Sequence, residues 1–288
     1  MHTPPLRRTP AESVCWAVYL LSASVLRGAP GWAQSNAAPA VTPYRPSVST
    51  PAPLSAPGWL EAELGGALSH NDVEARDSIP YALKFAFNPD WGIRVAGDAL
   101  VRTGNTSAGT HYVLGDTALV FKRRVVLGAD GTLGALTNAA FGLEGGLIAL
   151  GHGSGATTYT LNTIFSADEA AWHADVNLSE TRLAHADESS SPWQGGWAIA
   201  VSRNVGQRAG IVGEFSGSIQ RGVSGNAQFL LAGSYRLGGG SVVDFGAARG
   251  LQRAAPSAQL FAGITWMLRN YGEGILRRSR APSLIAIY

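Results

Sequence analysis

Cysteine is almost missing: the 288-residue chain has one, Cys15. It falls inside a stretch that reads as a secretory signal. Arg7 and Arg8 give a basic start, Val14 to Leu26 forms an apolar run of 13 residues, and Gly31-Trp32-Ala33 places small residues around a cut expected after Ala33. No lipobox precedes Cys15, so lipid attachment is not expected there. The mature chain then has no thiol, which excludes disulfides, thiolate metal sites and a cysteine nucleophile. Export without disulfides fits a Gram-negative envelope protein.

Long hydrophobic runs are missing as well. The run in the signal is shorter than the roughly 20 residues that a spanning helix needs, and no later stretch reaches that length. A mature chain that crosses a bilayer therefore has to do so as a closed β-barrel. Excess charge of one sign is the third absence. The first 33 residues hold three arginines and one glutamate, so the remainder carries 19 basic and 19 acidic residues. That balance gives no sign of nucleic-acid binding.

What the chain has is alternation. Trp91, Ile93, Val95, Gly97, Ala99 and Val101 share one face of an extended segment; Arg94, Asp98 and Arg102 share the other. Ile211, Phe215 and Ile219 oppose Glu214, Ser216 and Ser218. Phe229, Leu231 and Tyr235 oppose Asn226, Gln228, Ser234 and Arg236. Trp172, Val176 and Leu178 oppose His173, Asp175 and Asn177. The period predicts twelve strands, at about 59–68, 79–87, 91–102, 112–124, 138–150, 157–166, 170–180, 194–204, 208–219, 226–237, 241–250 and 258–268. Most are near ten residues, the length of a tilted strand across a bilayer.

The connections alternate in length too. Asn88-Pro89-Asp90, Ala167-Asp168-Glu169, Val205-Gly206-Gln207 and Gly238-Gly239-Gly240 are short; 69–78, 103–111, 181–193, 220–225 and 251–257 are longer. Outer-membrane barrels have short periplasmic turns and long outer loops. Residues 125–137 break the pattern as a long connection where a short one belongs. The prolines within 58–268 are expected at strand starts or in loops. Trp59, Trp91, Trp172, Trp197, Trp266 and Tyr235 fall on the lipid side, several near strand ends, as in an interfacial girdle. The fold expected is all-β: an antiparallel transmembrane barrel of about 12 strands at 58–268. It follows a signal at 1–33 and a proline-rich disordered linker at 34–57, and precedes a basic tail at 269–288. Membrane lipid and the outer-membrane assembly machinery are its expected partners, and the cell outer membrane its location.

Gly115-Asp116-Thr117 with Leu119 and Lys122, then Val212-Gly213-Glu214, then Asp244-Phe245-Gly246 through Gly250-Leu251, Ala255-Pro256 and Phe261-Ala262-Gly263-Ile264 resemble motifs of the MetA-pathway of phenol degradation family. The resemblance covers residues 58–268. It departs at Leu150-Gly151-His152-Gly153-Ser154-Gly155, where the family carries a proline, and in the tail. The resemblance implies an outer-membrane channel or transporter tied by name to aromatic compounds.

The polar faces nominate lumen-lining residues: Asp116, Lys122, Glu144, Asp175, Glu214, Arg236 and Asp244, with Glu61, Glu63, Lys84 and Arg94 beside them. Charges in a narrow lumen have to be paired or hydrated, since burying one alone costs several kcal/mol. They act either as a seal of cross-lumen ion pairs or as a solute path. The function expected is passive passage of small, hydrophobic or aromatic molecules. The alternative is an interaction barrel with an ion-paired, closed lumen and partner-binding outer loops. An enzyme is not expected: Ser179 lies about 20 Å along the strand from His173, beyond the reach of a nucleophile–base pair, which leaves a cross-strand serine such as Ser202 as the alternative. His70, His111, His152 and His185 have no recognised ligand spacing, so neither metal nor cofactor is expected.

Overall fold

The computed structural model describes residues 39–71, 74–105, 109–133, 136–150, 158–183 and 189–271. The expected signal, Cys15 and tail residues 272–288 lie outside the described residues.

The described residues form thirteen strands: β1 (Trp59–His70), β2 (Glu74–Ala86), β3 (Trp91–Asn105), β4 (Gly109–Val113), β5 (Thr117–Leu133), β6 (Leu136–Leu150), β7 (Thr158–Glu169), β8 (Trp172–Leu183), β9 (Trp193–Val205), β10 (Ala209–Gln220), β11 (Val223–Arg236), β12 (Val242–Gly250) and β13 (Ala258–Asn270). Each pairs antiparallel with its sequence neighbour, β3 pairing with both β4 and β5. The ring closes where β1 meets β13 over the full length of both strands. Short β4 and long β5 lie against successive parts of β3, so they occupy one wall position and the barrel has twelve.

The alternation sets the two faces. Ile219 is 66% exposed and Phe215 50%, whereas Glu214 and Ser216, on either side of Phe215, are 0% and 2%. Among the described residues no second sheet packs on the outer side, so the exposed apolar face is the lipid face of a closed barrel. Phe215 and Phe229 meet there with ring centroids 4.8 Å apart.

Arginines stack on the outer-face aromatics near the strand ends. Arg123 lies 4.5 Å from the Trp91 ring, Arg203 5.0 Å from Trp172 and Arg182 5.8 Å from Trp193. Each of these pairs sits directly opposite across a β ladder. Trp172 and Arg182 mark the two ends of the outer face of β8. Ten residues at about 3.3 Å each, tilted by roughly 40°, span about 25 Å, the height of a barrel's apolar band.

Four expectations are corrected. The strand placed at 112–124 is interrupted: 114–116 separates β4 from β5, and Gly115 packs so close to Asp98 that a Cβ there would lie 2.5 Å from the Asp98 Cβ. Residues 125–137 contain paired strand residues to Leu133 and from Leu136, because the Val125–Phe141 and Val126–Ala140 pairs continue the ladder. Pro80 lies within β2 rather than at a strand start; the register with β3 shifts between Ser78 and Pro80, which spares the ladder a missing N–H. The largest correction concerns 39–57, expected as a disordered linker, which is seated inside the barrel.

The β8–β9 and β12–β13 connections, 184–192 and 251–257, belong to one end of the ring; the β10–β11 turn at that end, 221–222, is shorter than the loop expected at 220–225 and as short as the turns at the other end. A cysteine placed at exposed Ser189, in the β8–β9 loop, tests which end is outside. Ser189→Cys is expected to react with a membrane-impermeant maleimide on intact cells. Labelling only after permeabilisation would invert the barrel.

Candidate functional site

The residues of the lumen belt are aligned by strand register. Glu61 pairs with Lys84, Lys84 with Arg94, Lys122 with Glu144, and Glu144 with Asn162. Lys84 Nζ lies 2.5 Å from carboxylates of both Glu61 and Glu63. Lys122 and Arg94 reach Glu144 at 3.3 and 3.6 Å. Glu61, Glu63, Lys84, Lys122, Glu144, Asp175, Glu214 and Asp244 are all buried. Six of these are acids. The wall's paired cations here are Lys84, Arg94 and Lys122, so the strands alone leave carboxylates to be satisfied.

Residues 39–57 reach five of the six acids. The segment has few charges and six prolines, so its backbone groups are not used up in strand pairing. It cannot build a core, but the barrel supplies one. Thr42 N–H donates to Glu61 at 3.0 Å and Tyr44 N–H to Glu63 at 2.7 Å. Arg45 reaches Asp244 at 3.5 Å and the Ala262 carbonyl at 3.2 Å. Val48 N–H and Ser49 N–H donate to Glu214 at 3.1 and 2.9 Å, and the Ser47 hydroxyl donates to it as well. Thr50 N–H donates to Asn177 at 3.0 Å, and its hydroxyl to Glu144 at 3.1 Å. Ala52 N–H donates to Ser166 Oγ at 2.7 Å. The lysines bind the segment's carbonyls: Lys84 that of Thr42 at 2.5 Å, Lys122 that of Pro51. Charge-assisted bonds of this kind are roughly twice as strong as neutral ones. The segment is a plug.

Tyr44 is its anchor. The ring faces three cations, with Lys84, Lys122 and Arg94 at 4.0, 4.4 and 5.3 Å from its centroid. Its hydroxyl accepts from Lys122 at 2.9 Å and donates to the Pro53 carbonyl at 3.2 Å. Burial, then the nearby Glu144 charge, holds this phenol well above its ordinary pKa, so it stays a neutral donor. Gly65 and Gly263, paired across β1 and β13, leave the slot for Arg45; a Cβ at Gly65 would sit 2.5 Å from the guanidinium carbon.

Above the plug, toward the longer loops, the lumen widens into a cavity of about 880 Å³. Its floor includes Tyr44, Arg45, Ser47, Val48 and Thr50.

The sequence-nominated residues divide. Lys122, Glu144, Glu214 and Asp244 contact the plug directly, and Asp175 does so through Ser166, whose hydroxyl donates to it. Asp116 lies in the break between β4 and β5, away from the belt. Arg236 is exposed at the end of β11. His173 is held on both nitrogens, Nδ1 at 2.7 Å from Asp168 and Nε2 at 3.0 Å from Asp175. Neither nitrogen is left for a serine. His152, His185 and the Gly151–Gly155 stretch lie outside the described residues; among those described, no cluster of three metal-ligating side chains occurs.

Sequence reading missed the plug. The signal was there as a mismatch: acids outnumber bases on the lumen faces, and a polar, proline-rich segment is tied directly to β1.

Solved structures share this architecture. The COG4313 outer membrane channel from Pseudomonas putida F1 superposes with a TM-score of 0.60 at 11% identity, covering 75% of this chain and 98% of the channel. The NanC porin gives 0.54 at 7% identity, covering 72% and 100%. The fold is that of an outer-membrane β-barrel. No protein-family model and no curated protein matches the chain, so the MetA-pathway resemblance stands on its motif residues alone.

Proposed function

We propose that this outer-membrane barrel is a channel for passive passage of small molecules, held shut at rest by residues 39–57. The observation that carries this reading is the 880 Å³ cavity, continuous with the lumen and floored by a segment of the chain rather than by the wall. A barrel sealed permanently by its own side chains has no use for a separate stopper. The family resemblance suggests aromatic solutes; the cavity's size, within the roughly 300–1,000 Å³ of small-molecule sites, admits these and other small molecules.

The dense belt of buried ion pairs favours a second reading, a closed barrel whose outer loops bind a partner. Planar-bilayer recording separates the two. The wild-type chain is expected to give rare, brief conductance steps, and a variant lacking residues 39–56 sustained ones. Silence from both would overturn the channel and leave the closed barrel.

A further inference from the structure

The cavity has two unlike sides. Strands β2, β3 and β5 give it small apolar groups: Pro80, Ala82, Ala96, Ala118 and Val120. Val48 of the plug, 55% exposed, adds an apolar floor. The other side, from β7 round to β13, carries neutral amides and hydroxyls, among them Asn162, Ser179, Ser218, Asn226, Gln228 and Gln259. Several are poised by neighbours: Gln228 Nε2 donates to Ser216 Oγ at 3.3 Å and Gln194 Nε2 to Ser218 Oγ at 3.4 Å. Asn162 Nδ2 donates to Glu144 at 3.3 Å and to Asn177 at 3.1 Å, while its Oδ1 is buried without a hydrogen-bond partner.

The ionic groups that reach the cavity are matched in place. Arg45 faces Asp244, Arg94 faces Glu144 and Glu63 faces Lys84. A charged solute entering would shed water without gaining a free counter-charge. A purely apolar solute would strip water from the amides without replacing their hydrogen bonds. A phenol answers one or two of these groups. A neutral sugar ring answers many: hydroxyls along its edge meet the amides, each offering both donor and acceptor, and its C–H face lies on the alanine and proline side.

We infer that the cavity binds neutral saccharides of one or two rings, as the solute class of the proposed channel, an assignment that rests on the channel reading. The full-length protein in detergent is titrated calorimetrically with maltose, sodium glucuronate and phenol. The cavity lies above the plug rather than beneath it, so release of the plug is not needed. Maltose is expected to bind saturably and at least about fivefold more tightly than the other two, the discrimination that one or two well-made hydrogen bonds supply. Asn226→Leu and, on a separate strand, Gln259→Leu are each expected to weaken maltose by about fivefold. Two variants are used so that a folding defect in one, read from its gel mobility before and after heating, leaves the other to decide. Equal binding of the three solutes, no binding of maltose, or preference for glucuronate or phenol would overturn the saccharide assignment. Bilayer conductance with potassium chloride is measured on the same preparations. Conductance without maltose preference removes only the solute class, whereas silence of the plug-deleted variant removes the channel.

Discussion

Replacing Glu214 by alanine is expected to turn a channel that is shut most of the time into one that is open most of the time. The carboxylate is fully buried, and its hydrogen-bond partners among the described residues are Ser47, Val48 and Ser49, all on the plug. No described wall residue is orphaned by its removal, so the barrel itself is spared. Hydrogen bonds to a charged group are worth about 1.5–3 kcal/mol each and do not add fully. A net loss of about 3 kcal/mol shifts the open-to-closed ratio by on the order of a hundredfold. Single-channel open probability in a planar bilayer measures it. An unchanged open probability in a well-folded Glu214→Ala barrel would mean that the plug is not a gate.

Phe229→Arg should all but abolish folded barrel, while Gln228→Arg, one residue away, should be mild. Phe229 packs against Phe215 on the lipid side. A charge there costs about 2–4 kcal/mol near the midplane of the bilayer. Gln228 points into the cavity, where water hydrates an added guanidinium. The amount of heat-modifiable protein in outer-membrane fractions reports both. Equal losses would mean that the register of β11 is wrong by one residue, since such a slip exchanges the two faces.

The barrel was legible because alternation is a local property. Ile211 to Ile219 declares two faces in nine letters, and the absence of any apolar run long enough for a helix leaves strands as the means of crossing. Belt acids such as Glu214 and Asp244 were legible for the same reason. What eluded the sequence was non-local. Ser47 meets Glu214 across 167 positions and Arg45 meets Asp244 across 199; no periodicity in 39–57 announces either contact. Proline-rich composition shows that a segment cannot bury a core of its own, and says nothing of a cavity that another part of the chain provides. Asp116 and Arg236 show the opposite limit. Both have the right parity, yet a break in the wall and the end of a strand take them from the belt.

The plug is bound to the strand that it precedes. Gly58 N–H bonds the Ala86 carbonyl at 2.8 Å, and Tyr271 N–H bonds the Gly58 carbonyl at 2.7 Å, so the last link before β1 is pinned to the barrel rim. A stopper on so short a leash behaves as an intramolecular ligand at an effective concentration in the millimolar range. It is never diluted away when it leaves. Its release and return should follow first-order kinetics, indifferent to how many barrels share the membrane. A free peptide copying residues 39–57 would compete only when supplied at comparable millimolar levels.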